Sequence, residues 1–430
     1  MMCGKISGIL AVFAVFSSFQ PVHAAEKLTL RDCITAALAN QPAIKASREN
    51  VNAGLGRVAQ AASPYLPQIK ATTGYSESRA LGGALGDTIS KSYSTTLSLS
   101  QVLYDFGKTG NSLDAARRGA RSTERDSERV IQEVILNVKQ AYYALLAAGK
   151  LVAVSQKTLE QAESHQRQAE AFYHAGSKPK FDVTRTEVEV NSARLGLINA
   201  NNGVRIRTIA LYNAMGIDPG GPLEIDDVLT APLTIPPFEK AMEEAVRNRP
   251  ELIKAEEDIA AARARVKAEE SGYYPTLSAT GDYTWGHGTS EMGMYRGDIQ
   301  NSWNAGIWLS MPLYEGGITK GKAGEARANL RVVEAQGQTF RQSVLMELSQ
   351  AYADIDSATA RISMMELSIK KARESLELAQ GRYEAGIGPY IEVTDAQVAS
   401  INAETDHVQA LYDYQLAAAR LLKAMGRVEP

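Results

Sequence analysis

Residues from about Leu28 to Gly216 are echoed by residues from about Pro237 to Gly426, so the chain carries one architectural unit twice. Pro42 and Pro250 stand 208 residues apart, as do Pro67 and Pro275, and Tyr75 and Tyr283. Past one short length difference the offset becomes 210 and holds. It joins Tyr104 to Tyr314, Gly107 to Gly317, Val183-Thr184 to Val393-Thr394, and Ala214-Met215-Gly216 to Ala424-Met425-Gly426. A fixed offset over most of a chain is the mark of a structural repeat. Each copy must therefore be one unit of a pseudo-symmetric object.

Each copy reads as short helix, medium helix, strand, loop, strand, very long helix, tight turn and returning helix. Leu30, Ile34, Ala37 and Leu38 recur at helical spacing until Pro42 interrupts them, because the residue before a proline is pushed out of the helical region. A second helix follows to about Ser63, closed by Pro64 and Pro67; copy two repeats this around Pro250 and Pro275. Strands are expected at about 68–78 and 92–104, then at about 275–286 and 302–314, where the period changes to two. Tyr93, Thr95, Leu97 and Leu99 alternate with Ser94, Thr96, Ser98 and Ser100, and Trp303, Ala305, Ile307, Leu309 and Met311 form the apolar side of the fourth strand.

Long helices are expected at about 108–174 and 318–384. Neither contains proline, and Ile131, Val134, Val138, Ala141, Leu145, Ala148 and Val152 keep the alternating three-four spacing of a coiled coil. A helix of this length spans about 100 Å, beyond any ordinary globular domain. Ala175-Gly176 and Ala385-Gly386 are helix stops, followed by Pro179 and Pro389, and returning helices are expected at about 182–215 and 392–425. The repeats are thus 25–216 and 237–426, joined by a linker at 217–236 and followed by a short tail, 427–430.

Lys5, the apolar run Ile6–Phe19 and the small residues of Val22-His23-Ala24 form an expected secretory signal, residues 1–24. Cys3 lies ahead of the apolar run rather than at the cleavage point, so no lipid attachment is expected. Removing the signal leaves Cys33 alone, and one thiol makes no internal disulfide. The formal charge of −3 argues against nucleic acid as a partner.

The strand segments have the length that crosses a bilayer as tilted strands, with small polar residues such as Ser98 and Thr284 on one face and apolar residues on the other. Aromatics gather at both strand ends: Tyr93, Tyr283, Trp285 and Trp303 near the connecting loops, and Tyr65, Tyr104, Tyr273, Tyr274 and Tyr314 at the other end. That distribution matches two interfacial girdles at the faces of a bilayer. Four strands cannot close a barrel, and an open sheet edge does not persist in lipid, so membrane strands here require an oligomer. Two chains would give eight strands and three would give twelve; arithmetic leaves both open.

The repeat, the proline-flanked strand starts, Tyr104-Asp105-Phe106-Gly107, Tyr314-Glu315-Gly316-Gly317 and the stretch Arg382–Ala396 together resemble the TolC-like family of outer-membrane efflux proteins, over nearly all of the chain beyond the signal. The resemblance implies a mainly helical chain in a homotrimer. One shared twelve-stranded β-barrel sits in outer-membrane lipid, continued by a periplasmic α-helical barrel. It implies a passive duct for solutes or proteins, partnered by a periplasmic adaptor protein and an inner-membrane transporter.

Glu392 and Asp395, three apart, share one face of a helix start; by spacing alone they are capping carboxylates. The resemblance implies instead that they ring a pore constriction, and that Asp182 and Tyr383 form a gate lock. It also implies that the tips Ala175, Gly176, Ala385 and Gly386 face the adaptor. Gly388 stands where some members carry an arginine, so a lock built on that cation is absent, and Lys178 and Lys180 on the other turn are candidate substitutes. Arg185 occupies the place in copy one that Asp395 holds in copy two.

The five histidines, His23, His165, His174, His287 and His407, show no metal-ligand spacing, and the chain has neither a phosphate-binding loop nor a nucleophile elbow. No enzyme activity, metal or cofactor is expected. The competing reading is a periplasmic coiled-coil scaffold without a channel.

Overall fold

The computed structural model describes residues 27–80, 88–221, 223–228, 235–290 and 300–427. The expected signal segment and residues 428–430 lie outside these. Copy one comprises α1 (Leu30–Asn40), α2 (Pro42–Ala62), β1 (Gln68–Ala80), β2 (Thr88–Tyr104), α3 (Lys108–His174) and α4 (Lys180–Met215). Copy two comprises α5 (Phe238–Asn248), α6 (Pro250–Glu270), β3 (Thr276–Ser290), β4 (Gln300–Ser310), α7 (Ile318–Glu384) and α8 (Tyr390–Ala424).

The four strands form one antiparallel sheet in the order β1-β2-β3-β4. Residues directly opposite each other share a face. One face therefore carries Ile69, Leu97, Leu99, Tyr283, Trp303, Ile307 and Leu309, and the other Thr72, Ser94, Thr96, Ser98, Thr280, Asp282 and Asn304. The apolar face is uncovered: Ile69, Leu99, Trp303, Ile307 and Leu309 are all exposed. The expectation of a fourth strand reaching Tyr314 differs from the structure. β4 ends at Ser310, and Tyr314 follows it in the turn to α7, 91% exposed.

Each strand-to-helix turn passes through left-handed backbone. Gly316 and Gly317 have φ of 61° and 90°, where a glycine lacks the Cβ clash. In copy one the matching pair is Phe106 and Gly107, with φ of 53° and 90°. Phe106 is held in that unusual state by its surroundings. Its ring stacks on Tyr274 at 5.4 Å, and its carbonyl accepts a hydrogen bond of 3.1 Å from Ser271 Oγ. Asp105 then caps α3, its carboxylate accepting from Thr109 N at 2.8 Å and from the Thr109 hydroxyl.

The 67-residue helices α3 and α7 set the length of the molecule. No single helix runs beside α3 for its whole length. α2 covers the half nearest the sheet and α4 the other half, and α6 and α8 divide the opposite side in the same way. α7 packs on α6 and α8. The joint between α2 and α4 depends on Gly216, whose φ is +69° and where a Cβ would lie 2.7 Å from Gln41 Cα. Gln41 at the proline kink donates through Nε2 to the carbonyls of Asn213 and Ala214, both at 3.1 Å, satisfying the last turn of α4. Copy two keeps the close approach, Gly426 against Asn248, but replaces glutamine by Arg249. That guanidinium is 2% exposed and bonds Glu251 at 2.9 Å and Glu347 at 2.5 Å.

A belt of core side chains closes round these joints: Ile34, Val138, Tyr142, Leu211 and Met215 in one copy, Leu348, Ile355, Leu421 and Met425 in the other. Tyr142 Oη donates to the carbonyls of Leu28 and Asp226, tying down the parallel bridge between Leu28 and Ile225. Tyr352 Oη does the same to Pro236 O at 2.5 Å.

Gly216→Ala is expected to destabilise the chain by more than about 1 kcal/mol, because it combines left-handed backbone with a backbone clash. Gly196→Ala, in open space on α4, is expected to be neutral or stabilising by up to about 1 kcal/mol. Thermal denaturation followed by far-UV circular dichroism separates them; equal midpoints would refute the joint.

Candidate functional site

The end of the molecule away from the sheet is where all four long helices turn. α3 stops at Ala175 with Gly176 left-handed at φ 70°, and Ser177 N bonds Phe172 O at 2.9 Å across the end. α7 stops in the same way, with Gly386 at φ 75° and Ile387 N bonding Arg382 O at 3.0 Å. Both are glycine-terminated helix ends in which the turn satisfies the last carbonyls. Ala175, Gly176, Ala385 and Gly386 are exposed at these tips.

Two carboxylates on α4 meet two tyrosines of the second copy. Tyr383 Oη lies 3.3 Å from Asp182 Oδ2. One heptad further along, Tyr390 Oη donates to Glu189 Oε2 at 2.5 Å, and Thr394 Oγ1 donates to Glu189 Oε1 at 2.9 Å. The carboxylates are seven residues apart, and so are the tyrosines across the turn. Sequence reasoning found the first pair and missed the second; the matched spacing of seven was the available signal. The second pair is the better made. Tyr390 is 4% exposed, both oxygens of Glu189 are used, and Arg185 Nε sits 3.6 Å from Oε1. A hydrogen bond from a neutral hydroxyl to a carboxylate is worth roughly 1.5–3 kcal/mol.

The surroundings push these phenols towards their neutral form. Burial, with Asp182 alongside, raises Tyr383 to about 12. Burial and the bond to Glu189 raise Tyr390 further, so both stay protonated and act as hydrogen-bond donors at physiological pH. Tyr383, Tyr390, Val393, Leu376 and Ala396 form an apolar cluster of their own, with the Tyr383 and Tyr390 rings at 5.2 Å. Lys178 Nζ stands 4.5 Å from the centre of the Tyr383 ring, so it lies against the latch, while Lys180 is exposed.

The two expected constriction carboxylates differ. Glu392 Oε2 is bonded by Arg382 Nε at 3.0 Å, a pairing absent from the sequence-level expectation. Gly388 makes room for it: a Cβ there would come within 3.2 Å of Glu392 Oε2. Asp395 is exposed and has no ion pair among the described residues. Behind the latch sits His165, buried, its ring edge-on to Tyr390 at 6.3 Å and its Nε2 3.3 Å from Gln380 Nε2. Burial lowers its pKa, opposed by Glu189 and Glu384.

At the sheet, Tyr75, Tyr93, Tyr283, Trp285 and Trp303 fall on the apolar face towards the hairpin ends, with Tyr75 and Tyr93 at 4.8 Å and Tyr283 and Trp285 at 4.5 Å. Tyr65, Tyr104, Tyr273 and Tyr274 lie exposed at the end nearest the helices. No group of His, Cys, Asp and Glu among the described residues is arranged to hold a metal ion.

Because folded His165 binds a proton less readily than unfolded His165, tip stability is expected to be constant above about pH 6.5 and to fall as the pH drops towards the lowered folded value. Hydrogen exchange of the 383–394 segment, corrected for intrinsic rates, should show extra opening at about pH 5.5, and His165→Gln should remove it. A pH-independent opening in the unaltered chain would refute this.

Residues 33–217 and 241–427 match the family described as outer membrane efflux protein. Protein CyaE of Bordetella pertussis is 27% identical over 414 residues, covering 95% of this chain and 86% of that protein. Outer membrane protein TolC of Escherichia coli K12 is 23% identical over 425 residues, covering 95% and 84%. Among solved structures, CusC, described with its transmembrane channel formation, superposes with a TM-score of 0.82 at 20% identity, over 93% of this chain and 92% of that one.

Proposed function

The chain belongs to the outer membrane efflux protein family, and from that premise we propose that it is one protomer of a trimeric duct, latched shut at its periplasmic tip by tyrosine–carboxylate bonds. It is an outer-membrane protein, and its function is export. The observation that carries the assembly is the pair of open sheet edges. β1 and β4 each have one partner, their outer face is apolar, and no lipid-exposed edge persists in a bilayer. Three copies joined edge to edge give twelve strands and no free edge.

The helices support the same joining. α7 has an exposed apolar stripe including Val332, Met346 and Leu367, and α4 has another including Val188, Leu195 and Ile198. These lie at opposite flanks of the protomer, since α4 packs on α3 and α7 packs on α6 and α8. A heterologous contact between them repeats round a ring and closes it. The family resemblance carries the choice of three copies over two.

At the tip, Asp182–Tyr383 and Glu189–Tyr390–Thr394 tie the α7–α8 pair to the α3–α4 pair within one protomer. Breaking them frees one pair to swing. Asp395 supplies an unpaired carboxylate from each protomer to the constriction, and Glu392 joins it when Arg382 lets go. Acidic rings favour cations at a narrow mouth. The exposed Ala-Gly tips are small enough for close packing by a periplasmic adaptor's helices, which would link the duct to an inner-membrane transporter.

In planar bilayers Tyr390→Phe is expected to shift the closed–open balance by roughly tenfold, and Tyr383→Phe by less, because its bond is longer. Unchanged conductance in both would sink the latch. Independently, the protein should stay in the outer membrane through an alkaline carbonate wash and migrate as a trimer; release by the wash would favour the scaffold reading.

A further inference from the structure

The polar face of the sheet carries one residue that its neighbours do not account for. β4 runs Ser302, Asn304, Gly306, Trp308, Ser310 along that face, directly opposite Thr284, Asp282, Thr280, Ser278 and Thr276 of β3. Every side chain there is small or polar except Trp308. The other two tryptophans, Trp285 and Trp303, lie on the apolar face, where an interfacial girdle belongs. Trp308 points the opposite way, so the girdle does not explain it.

Nor is it a loose surface ring. Its Nε1 donates to Thr280 Oγ1 at 2.9 Å across the strand pair. The indole packs against Gly306, where a Cβ would stand 3.2 Å from Nε1 and 3.4 Å from Cε2. The donor is satisfied, and 63% of the residue is exposed in the protomer. Asp282 follows Thr280 by two positions on the same strand face, beside Asn304. Lys70 lies in the same row, two strands away beyond Ser98, and forms no ion pair with Asp282 among the described residues.

We propose that Trp308 and Asp282 form an organic-cation contact on the duct wall, one per protomer. The proposal rests on the duct reading, which makes the polar face the lumen. A π-face attracts cations, and a carboxylate two residues along the strand from Thr280, the partner of the indole nitrogen, adds a charge of the right sign. The fitting cargo is a flat or aromatic solute bearing a quaternary or protonated nitrogen. Anions are disfavoured by Asp282, and neutral solutes lose the charge contribution. A single exposed cation–π contact strengthens binding about two- to fivefold, which is a dwell site rather than a tight one, and export through a passive duct requires that cargo leave.

The test uses the full chain in vesicles and its own tryptophans. With Trp285 and Trp303 changed to Phe, Trp308 emission should resist brominated lipid, be quenched by aqueous acrylamide, and be quenched saturably by N-methylpyridinium. Adding Asp282→Asn should weaken that saturable quenching at least about twofold. In the companion chain keeping only Trp303, brominated lipid should quench strongly; if it does not, the membrane barrel reading fails. If Trp303 behaves as expected but Trp308 is quenched by lipid, or if N-methylpyridinium quenching is linear and indifferent to Asp282, the cation contact is refuted. Trp308→Ala in the otherwise unaltered chain keeps the check independent of the double variants: it should abolish the saturable component and leave the lipid-quenched emission intact.

Discussion

The whole architecture depends on backbone hydrogen bonding at the two ends of a four-stranded sheet. Peptide groups facing lipid must be paired, and one chain leaves the outer edges of β1 and β4 unpaired. Everything else serves to bring copies together in a ring. The apolar sheet face and the apolar stripes on α4 and α7 at opposite flanks suit that need. The two long helices extend the same ring away from the membrane, because each continues from a strand through a turn of two left-handed residues.

Duplication supplies the ring with like units, but the copies are not equivalent where they bear load. At the kink between the short and medium helices, Gln41 caps α4 with its amide, whereas Arg249 is buried between two glutamates. A neutral amide meets the α4 carbonyls without desolvating a charge. A buried guanidinium is tolerated because Glu251 and Glu347 bond it on separate nitrogens. At the tip the asymmetry separates acceptors from donors. Carboxylates come from the first copy and tyrosines from the second, so their bonds join the two halves of one protomer. A phenol held neutral by burial is a suitable donor to a carboxylate, since the bond needs only one desolvated charge.

Much of the fold was legible because its signals are periodic. Proline-free coiled-coil spacing, helix-stop glycines and alternating strands mark a mainly helical repeat protein with a sheet, and the mismatch between four strands and a closed barrel called for more than one chain. The end of β4 was less legible: Met311 continues the alternation, but the chain has already left the ladder at Ser310. At the tip, Asp182 and Tyr383 meet as the resemblance implied. Glu189 and Tyr390 went unread because a glutamate on a long polar helix is ordinarily solvated, and only the approach of Tyr390 and Thr394 makes this one half-buried and bonded. Arg382 and Glu392 pair across the turn because Gly388 leaves space, which spacing alone does not reveal.

The sequence by itself determined the repeat, the lengths and order of the elements, and the need for an oligomer. Those follow from local rules, from periodicity and from counting hydrogen-bonding edges. Only the tertiary structure decided which carboxylates are paired, which tyrosine makes the shorter bond, and that Trp308 faces away from the other two tryptophans. These depend on register and helix crossing. A shift of one residue in register sends a side chain to the other face of a sheet, and the tip carboxylates find their hydrogen-bond donors about 200 positions away in the chain.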